Sequence, residues 1–563
     1  MLSSPDYLGG VFILLLECNN IKKYFGDRLI IAVENLRVYS DDRIGIVGIN
    51  GAGKTTLVNI LSGKLDPDEG WVKRYVNCSY ISQLESPKNK QISVEIASKF
   101  GVASIWSENM SGGEKTRFKL AESFENENSL IFADEPTSNI DIEGIKLLEK
   151  RLAEYQGGLV LISHDRTFLD KLCNKILEIE NGKIKLYKGN YSDFVVQKAQ
   201  EKERVKFEYN QYVNEKKRLE KVVAGIKQNA KSIKKVPKRM GNSEARLHKM
   251  GDQKAKASLA RKIKSTESRI AQLEVKEKPV EQELIKLDLP ESNRIYSKVI
   301  IEGHNINKSF GNKVIFKDAE FKIGNDSKVA LIGPNGCGKS TLLKMIINED
   351  AGIKIAPRAQ VGYFSQDMSI LDESLTILEN VMAESIYQET FARIFLARLL
   401  FRREDVFKPV NLLSGGERVK VSFAKMLLKD INLLILDEPT NYLDVKSLEV
   451  LEEALREYDR SLLFVSHDRR LISSVADHIM TIENHGIKMF KGSYEEYLAK
   501  RNQIMDNNKR ETEKQILVLQ NRLSELTGKL SMPAKKDNIQ ALDQEYHEVL
   551  SELKNLRQKL KTK

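Results

Sequence analysis

Two nine-residue strings, GINGAGKTT at 48–56 and GPNGCGKST at 333–341, carry the clearest chemistry in this chain. Each follows a short apolar run (Ile44 to Val47; Val329 to Ile332) and precedes a helical pattern. In that context a glycine-rich loop lets backbone N–H groups approach a phosphate, and a helix N-terminus adds favourable partial charge. The candidate nucleotide contacts are Gly48, Asn50, Gly51, Gly53, Lys54, Thr55 and Thr56 in the first loop, and Gly333, Asn335, Gly336, Gly338, Lys339, Ser340 and Thr341 in the second. Lys54 and Lys339 should reach the β- and γ-phosphates of ATP, while the hydroxyls of Thr55 and Ser340 suit Mg2+. Downstream, apolar strands ending in Asp134 and Asp437 bring a carboxylate to that metal or its water shell. The next residues, Glu135 and Glu438, stand where a general base polarises an attacking water. Gln83 in YISQ and Gln366 in YFSQ are candidates for sensing the metal and the γ-phosphate. His164 and His467, each after an apolar strand and before Asp, are candidates for holding that phosphate, and two of only seven histidines share this motif position.

The elements that must position these residues are themselves duplicated. SGGEKTR at 111–117 returns as SGGERVK at 414–420, FADEPTSNID (132–141) as LDEPTNYLD (436–444), SHDR (163–166) as SHDR (466–469), and KGNYSDF (188–194) as KGSYEEY (491–497). A repeated domain of about 200 residues is the economical reading. We therefore expect an α/β chain: nucleotide-binding domains at 11–195 and 297–500, a helical-hairpin linker at 196–296, and a C-terminal coiled-coil hairpin at 501–563.

In the linker, Val205, Tyr209, Tyr212, Leu219 and Val223 fall on heptad positions, as do Leu259, Ile263, Ile270 and Leu273. The turn is expected near 234–251, where Pro237 and Gly241 interrupt the pattern. Arms of about 35 residues at ~1.5 Å each would reach roughly 50 Å. After 500 the pattern returns with Ile516, Leu519, Leu523, Leu526 and Leu530, then Met532-Pro533, then Ile539 through Leu560. A solvated stiffening coiled coil suffices for that tail. It does not suffice for the linker, because 221–270 holds fifteen Lys or Arg against Glu244, Asp252 and Glu267, a net +12 beside +11 for the whole chain.

The longest apolar run, Val11 to Leu16, is six residues, far short of the roughly 18 that span a bilayer, and reads as a first strand. Residues 1–10 lack the basic start and cleavage site of a signal peptide. Cys18, Cys78, Cys173 and Cys337 show no paired spacing, so free thiols in a reducing cytoplasm are expected.

With both cassettes laid out, SGGE at 111–114 and 414–417 resembles the signature of ABC ATPases. The resemblance implies that Ser414, Gly415 and Gly416 complete the site of Lys54, and that Ser111, Gly112 and Gly113 complete that of Lys339. It also implies that Phe25 and Phe310, each just before a glycine, stack on adenine, with core packing as the alternative. Tandem cassettes, EPT tracts and a roughly 100-residue linker resemble the ABC-F family over nearly the whole chain. That likeness implies a ribosome partner: large-subunit RNA at the exit site, with the linker near the peptidyl-transferase centre and P-site tRNA. It implies no membrane and a monomer whose cassettes close on each other. PKRMGNSEARLHKMG (237–251) and EPTSNID look like the antibiotic-resistance branch, which counters lincosamides, streptogramin A and pleuromutilins. Only 27 residues separate Gln83 from Ser111, against 47 between Gln366 and Ser414, leaving no room for the extra arm of housekeeping factors. A housekeeping ABC-F factor remains the alternative, with a transporter subunit or DNA-associated ATPase behind it.

Overall fold

The computed structural model describes residues 13–81, 87, 89–125, 129–138, 140–232, 242–276, 295, 297–364, 370–401, 403–441, 443–531 and 539–562. They form two compact units, Met1–Asn139 with Ile145–Ile285, and Ile140–Gly144 with Lys286–Lys563. Val11 and Phe12 lie outside the described residues, and the first strand begins at Leu14.

The first unit contains β1 (Leu14–Phe25), β2 (Arg28–Tyr39), β3 (Arg43–Gly48), β4 (Glu69–Arg74), β5 (Cys78–Ile81), β6 (Leu130–Asp134), β7 (Gly158–Ile162), β8 (Lys175–Glu180) and β9 (Lys183–Lys188). They make one sheet in the order β4-β1-β2-β9-β8-β3-β7-β6-β5. From β8 to β5 the neighbours run parallel. Strands of a parallel sheet are covered on both faces, which is why β7 (GLVLI) is buried at every position and β6 (LIFAD) at all but its last. The second unit repeats the pattern with β10 (Val299–Phe310), β11 (Lys313–Gly324), β12 (Lys328–Ile332), β13 (Ile353–Ile355), β14 (Val361–Phe364), β15 (Leu433–Asp437), β16 (Ser461–Val465), β17 (His478–Glu483) and β18 (Gly486–Lys491). Here six strands order as β14-β15-β16-β12-β17-β18, and β11-β10-β13 stand as a separate sheet. Each unit has its own apolar core beneath these strands.

The linker helices are Tyr191–Ser232 and Asn242–Gln272, of 42 and 31 residues, so they extend about 63 and 46 Å. The first runs unbroken through the expected boundary at 195/196, and Tyr494–Ser531 likewise runs through 500/501. The two linker helices lie against each other with Leu219 and Val223 buried and Lys227 bonded to Glu267 at 2.9 Å. Val205 departs from its heptad role and is half exposed. Of the turn expected at 234–251, the residues from Asn242 on are helical; 233–241, with Pro237 and Gly241, lie outside the described residues, as does Met532-Pro533. The C-terminal helices also pair, through Leu526, Val549 and Leu553. All four cysteines are free thiols, and burial pushes Cys18 and Cys173 up to about 12. Among the described residues no helix is long and apolar enough to cross a membrane.

Where the first linker helix leaves the sheet, a charged cluster fastens it. Lys198 donates to Glu178 of β8 at 2.6 Å and to Glu180 at 3.1 Å, while the Tyr187 hydroxyl lies 3.2 Å from Glu178 and 3.0 Å from Glu201. The corresponding positions of the second copy hold Thr481, Arg501, Phe490 and Ile504, and there Arg501 bonds Glu143 instead. Glu178 is buried, and a buried carboxylate that loses its cation is costly. Lys198→Met should therefore destabilise the first unit by roughly 3 kcal/mol, whereas Glu178→Met with Lys198→Met should return close to the parent. Thermal unfolding of the full chain measures both, and amide exchange at 191–201 should rise in the single variant only.

Candidate functional site

The motif residues converge because their strands do. In the order β3-β7-β6-β5, the phosphate loop follows β3, Ser163-His164 follows β7, and Asp134-Glu135 closes β6. The second unit repeats this with β12, β16 and β15. Open parallel sheets bind ligands at the carboxyl ends of their strands. Gln83 and Gln366, two residues past β5 and β14, lie outside the described residues.

Gly53 and Gly338 cap the helices Lys54–Ser62 and Lys339–Ile347 at φ 96° and 111°, the left-handed region that favours glycine. A Cβ on Gly338 would also sit 2.4 Å from Ile315 Cγ2. The Lys54 ammonium donates to Gly48 O at 2.9 Å and Ile49 O at 3.2 Å, and Lys339 to Gly333 O at 2.9 Å and Pro334 O at 3.1 Å, which holds each charge against its own loop.

Thr55 Oγ1 donates to Asp134 Oδ2 at 2.8 Å, and the Tyr80 hydroxyl reaches the same oxygen at 3.3 Å. Ser340 bonds Asp437 similarly, and Asp437 Oδ1 is buried without a hydrogen-bond partner. Burial raises both aspartates above the usual carboxylate range, against the pull of the neighbouring hydroxyls and lysines. A hydroxyl beside a partly satisfied buried carboxylate is a hard oxygen donor set, and it fits Mg2+. Bound there, the ion would neutralise phosphate charge, with Thr55 and Asp134, or Ser340 and Asp437, as its protein donors.

Glu135 and Glu438 sit at φ 49° and 50°, a strained conformation for glutamate, fixed by N–H bonds to Ile162 O at 2.9 Å and Val465 O at 3.0 Å. Thr137 and Ser163 hydroxyls meet at 3.1 Å, and Thr440 and Ser466 at 3.3 Å, joining the EPT tract to SHD. His164 Nε2 lies 3.3 Å from Glu135 Oε1, and His467 Nε2 3.2 Å from Glu438 Oε1. Burial raises Glu135 to about 8 and Glu438 to about 7, with Lys54 and Lys339 opposing. Burial and Lys339 push His467 down to about 4, so the His467 contact joins a neutral imidazole to the glutamate and is no ion pair at neutral pH.

Ser111 and Ser414 stand at the N-termini of the helices Gly112–Glu125 and Gly415–Leu427, and each bonds the Glu three residues on. Ser111, Gly112, Ser414 and Gly415 are exposed, while Gly113 is buried and Gly416 intermediate. Phe25 and Phe310 end β1 and β10 with 56% and 57% exposure, so neither is a core residue. Sequence reasoning passed over Tyr80, Thr137 and Thr440; the paired YISQ and YFSQ strings and the repeated EPT and SHD were the available signals.

A parallel sheet that gathers a phosphate loop, an Asp-Glu pair and a histidine at its carboxyl edge is the ATP-binding cassette, and with two of them this chain is an ABC-type ATPase. A family model described as ABC transporter matches residues 33–138 and 316–441, and a second of that description matches 177–288. The chain is similar to the ribosome protection protein VmlR of Bacillus subtilis, at 31% identity over 96% of this chain and 98% of that protein. It is 32% identical to the erythromycin resistance ATP-binding protein MsrA of Staphylococcus epidermidis, over 82% of this chain and 96% of that one. ABC transporter F family member 5 of Arabidopsis thaliana matches at 29% over 86% and 77%. The chain belongs to the ABC-F family of ATPases.

Glu438 permits a test of the buried carboxyl. Its folded value of about 7, above the ordinary 4.5, means that stability is fully present below pH 4.5 and is lost as pH rises through 7. Glu438→Gln cannot ionise, so without nucleotide it should be more stable than the parent by up to roughly 3 kcal/mol at pH 8 and near parity at pH 4.5. Thermal unfolding at both pH values checks this. An equal difference at the two would refute the buried ionisation.

Proposed function

We propose that this ATPase binds the ribosome at the exit site and uses its linker to protect the peptidyl-transferase centre from lincosamides, streptogramin A and pleuromutilins. The observation that carries the reading is the placement of charge. A net +12 segment at 221–270 occupies a helical linker whose first helix is bonded directly to the sheet of an ATPase cassette. Cationic helices neutralise RNA phosphates, and arginines stack on unpaired bases. The names of VmlR and MsrA, a ribosome protection protein and an erythromycin resistance protein, support the same reading.

In this mechanism ATP joins the cassettes. Lys54, Thr55, Asp134 and Gln83 on one side would be completed by Ser414, Gly415 and Gly416, and Lys339, Ser340, Asp437 and Gln366 by Ser111, Gly112 and Gly113, with adenine on Phe25 or Phe310. Glu135 and Glu438 would each orient and deprotonate a water, with His164 and His467 holding the γ-phosphate. Closure aligns the linker with the large-subunit RNA and P-site tRNA, and hydrolysis reopens the cassettes. The protein works in the cytoplasm as a monomer.

Replacing residues 234–251 by a short Gly/Ser turn removes the tip and spares every motif residue. ATPase activity should persist while protection in a purified translation assay disappears. Full protection by the truncated protein would overturn the tip mechanism. Failure of the intact protein to protect against any of these classes, with binding at the exit site retained in an RNA footprint, would favour a housekeeping translation factor.

Ribosome association should also weaken steeply with salt. Neutralising Lys234, Lys235, Lys238 and Arg239 should lower the slope of log affinity against log salt by about 3. A slope that does not move in sedimentation binding would assign these charges to solubility.

A further inference from the structure

We propose that Tyr80 is a positioning residue of the first nucleotide site, its hydroxyl fixing the Asp134 carboxylate for the divalent cation and its ring fixed in turn by Lys64. This rests on the reading above in which Thr55 and Asp134 hold Mg2+. Thr55 Oγ1 and the Tyr80 hydroxyl donate to the same oxygen, Asp134 Oδ2, at 2.8 and 3.3 Å. Lys64 Nζ stands 4.1 Å from the centroid of the Tyr80 ring.

The sheet accounts for the reach. Tyr80 of β5 is in register with Phe132 of β6, and Asp134 lies two residues further along on the same face. Two residues of a strand rise roughly 6.6 Å, a span that a tyrosine bridges with its ring and hydroxyl and that shorter side chains do not. The two donors on Asp134 thus come from different elements, Tyr80 from the sheet and Thr55 from the helix Lys54–Ser62. That helix also supplies Lys64, one residue past its C-cap Gly63, where the Lys64 N–H bonds Asn59 O at 2.9 Å. One helix therefore holds Asp134 directly from its first turn and Tyr80 from just beyond its last.

A threonine hydroxyl has one proton, and with that proton given to Asp134 its lone pairs are available to a cation. Both described bonds to the carboxylate fall on Oδ2, which leaves Oδ1 to the metal or its water. A carboxylate held by one donor can swing about that bond, and a second donor anchored in the sheet stops the rotation. Core packing asks nothing of this hydroxyl, because the ring lies against the apolar core of the first unit, where phenylalanine would serve. A cation within about 6 Å of an aromatic ring is attracted to its face. Drawing electron density from a phenol also makes its O–H a stronger donor. The second copy holds Tyr363 at the position of Tyr80 but Glu349 at that of Lys64, so a cation over the ring from this position belongs to the first site.

The test is equilibrium binding of a non-hydrolysable ATP analogue, once with Mg2+ and once with EDTA, to the full chain carrying Lys339→Ala so that the first site is the one read. Adding Tyr80→Phe should weaken binding about fivefold with Mg2+ and leave binding in EDTA unchanged, since the lost bond serves the metal and not the phosphate. Lys64→Met should act in the same direction by about twofold, and Lys64→Arg should restore the parental value. An unchanged ratio of Mg2+ to EDTA affinity in Tyr80→Phe overturns the proposal. Equal losses in both conditions overturn it as well, because they describe a distorted site and not a mispositioned metal donor. A Lys64→Met variant that matches the parent overturns the part given to Lys64. Asp134→Asn separates the proposal from its premise: if it abolishes the Mg2+ enhancement while Tyr80→Phe changes nothing, the positioning role fails and the metal site stands. A parental Mg2+ enhancement in Asp134→Asn removes both.

Discussion

Each cassette buries two adjacent carboxyl groups at the end of one strand, and taking anions out of water is among the most expensive things a fold can do. Asp134-Glu135 and Asp437-Glu438 are all raised above their ordinary range by burial. That places a demand for cations on everything nearby. Lys54 and Lys339 supply part of it from the loop on the neighbouring strand but one, and the remainder is what a divalent ion provides. The site therefore holds its carboxyl groups in a state that ligand binding improves. A cassette whose acids were fully paired within the protein would bind nucleotide for less gain. The left-handed backbone at Glu135 and Glu438 has the same character, a local cost carried by the surrounding sheet to aim one side chain.

The two copies repeat the same set of motif residues and differ most where they attach to the rest of the chain. Glu178, Tyr187, Lys198 and Glu201 bond the first linker helix to β8, the strand beside β3, and to β9. Thr481, Phe490, Arg501 and Ile504 take those places in the second copy. Displacing the first linker helix would leave the buried Glu178 carboxylate without its cation. In the second copy Arg501 of the helix Tyr494–Ser531 bonds Glu143 instead.

Much of this was legible in the residues themselves. The phosphate loops, the Asp-Glu pairs and SHD were readable because each follows a short apolar run, and a parallel sheet turns consecutive strand ends into neighbours. Tyr80 was not, since an aromatic in an apolar strand looks like core until its hydroxyl is placed beside Asp134. The Glu178–Lys198 pair spans different elements and leaves no periodic trace. The expected boundaries at 195/196 and 500/501 fall inside the helices Tyr191–Ser232 and Tyr494–Ser531, because a helix ends where its hydrogen bonds end and not where a motif repeat does. The bonds by which Glu114 and Glu417 cap the helices that begin at SGGE leave no trace in the resemblance to the ABC signature.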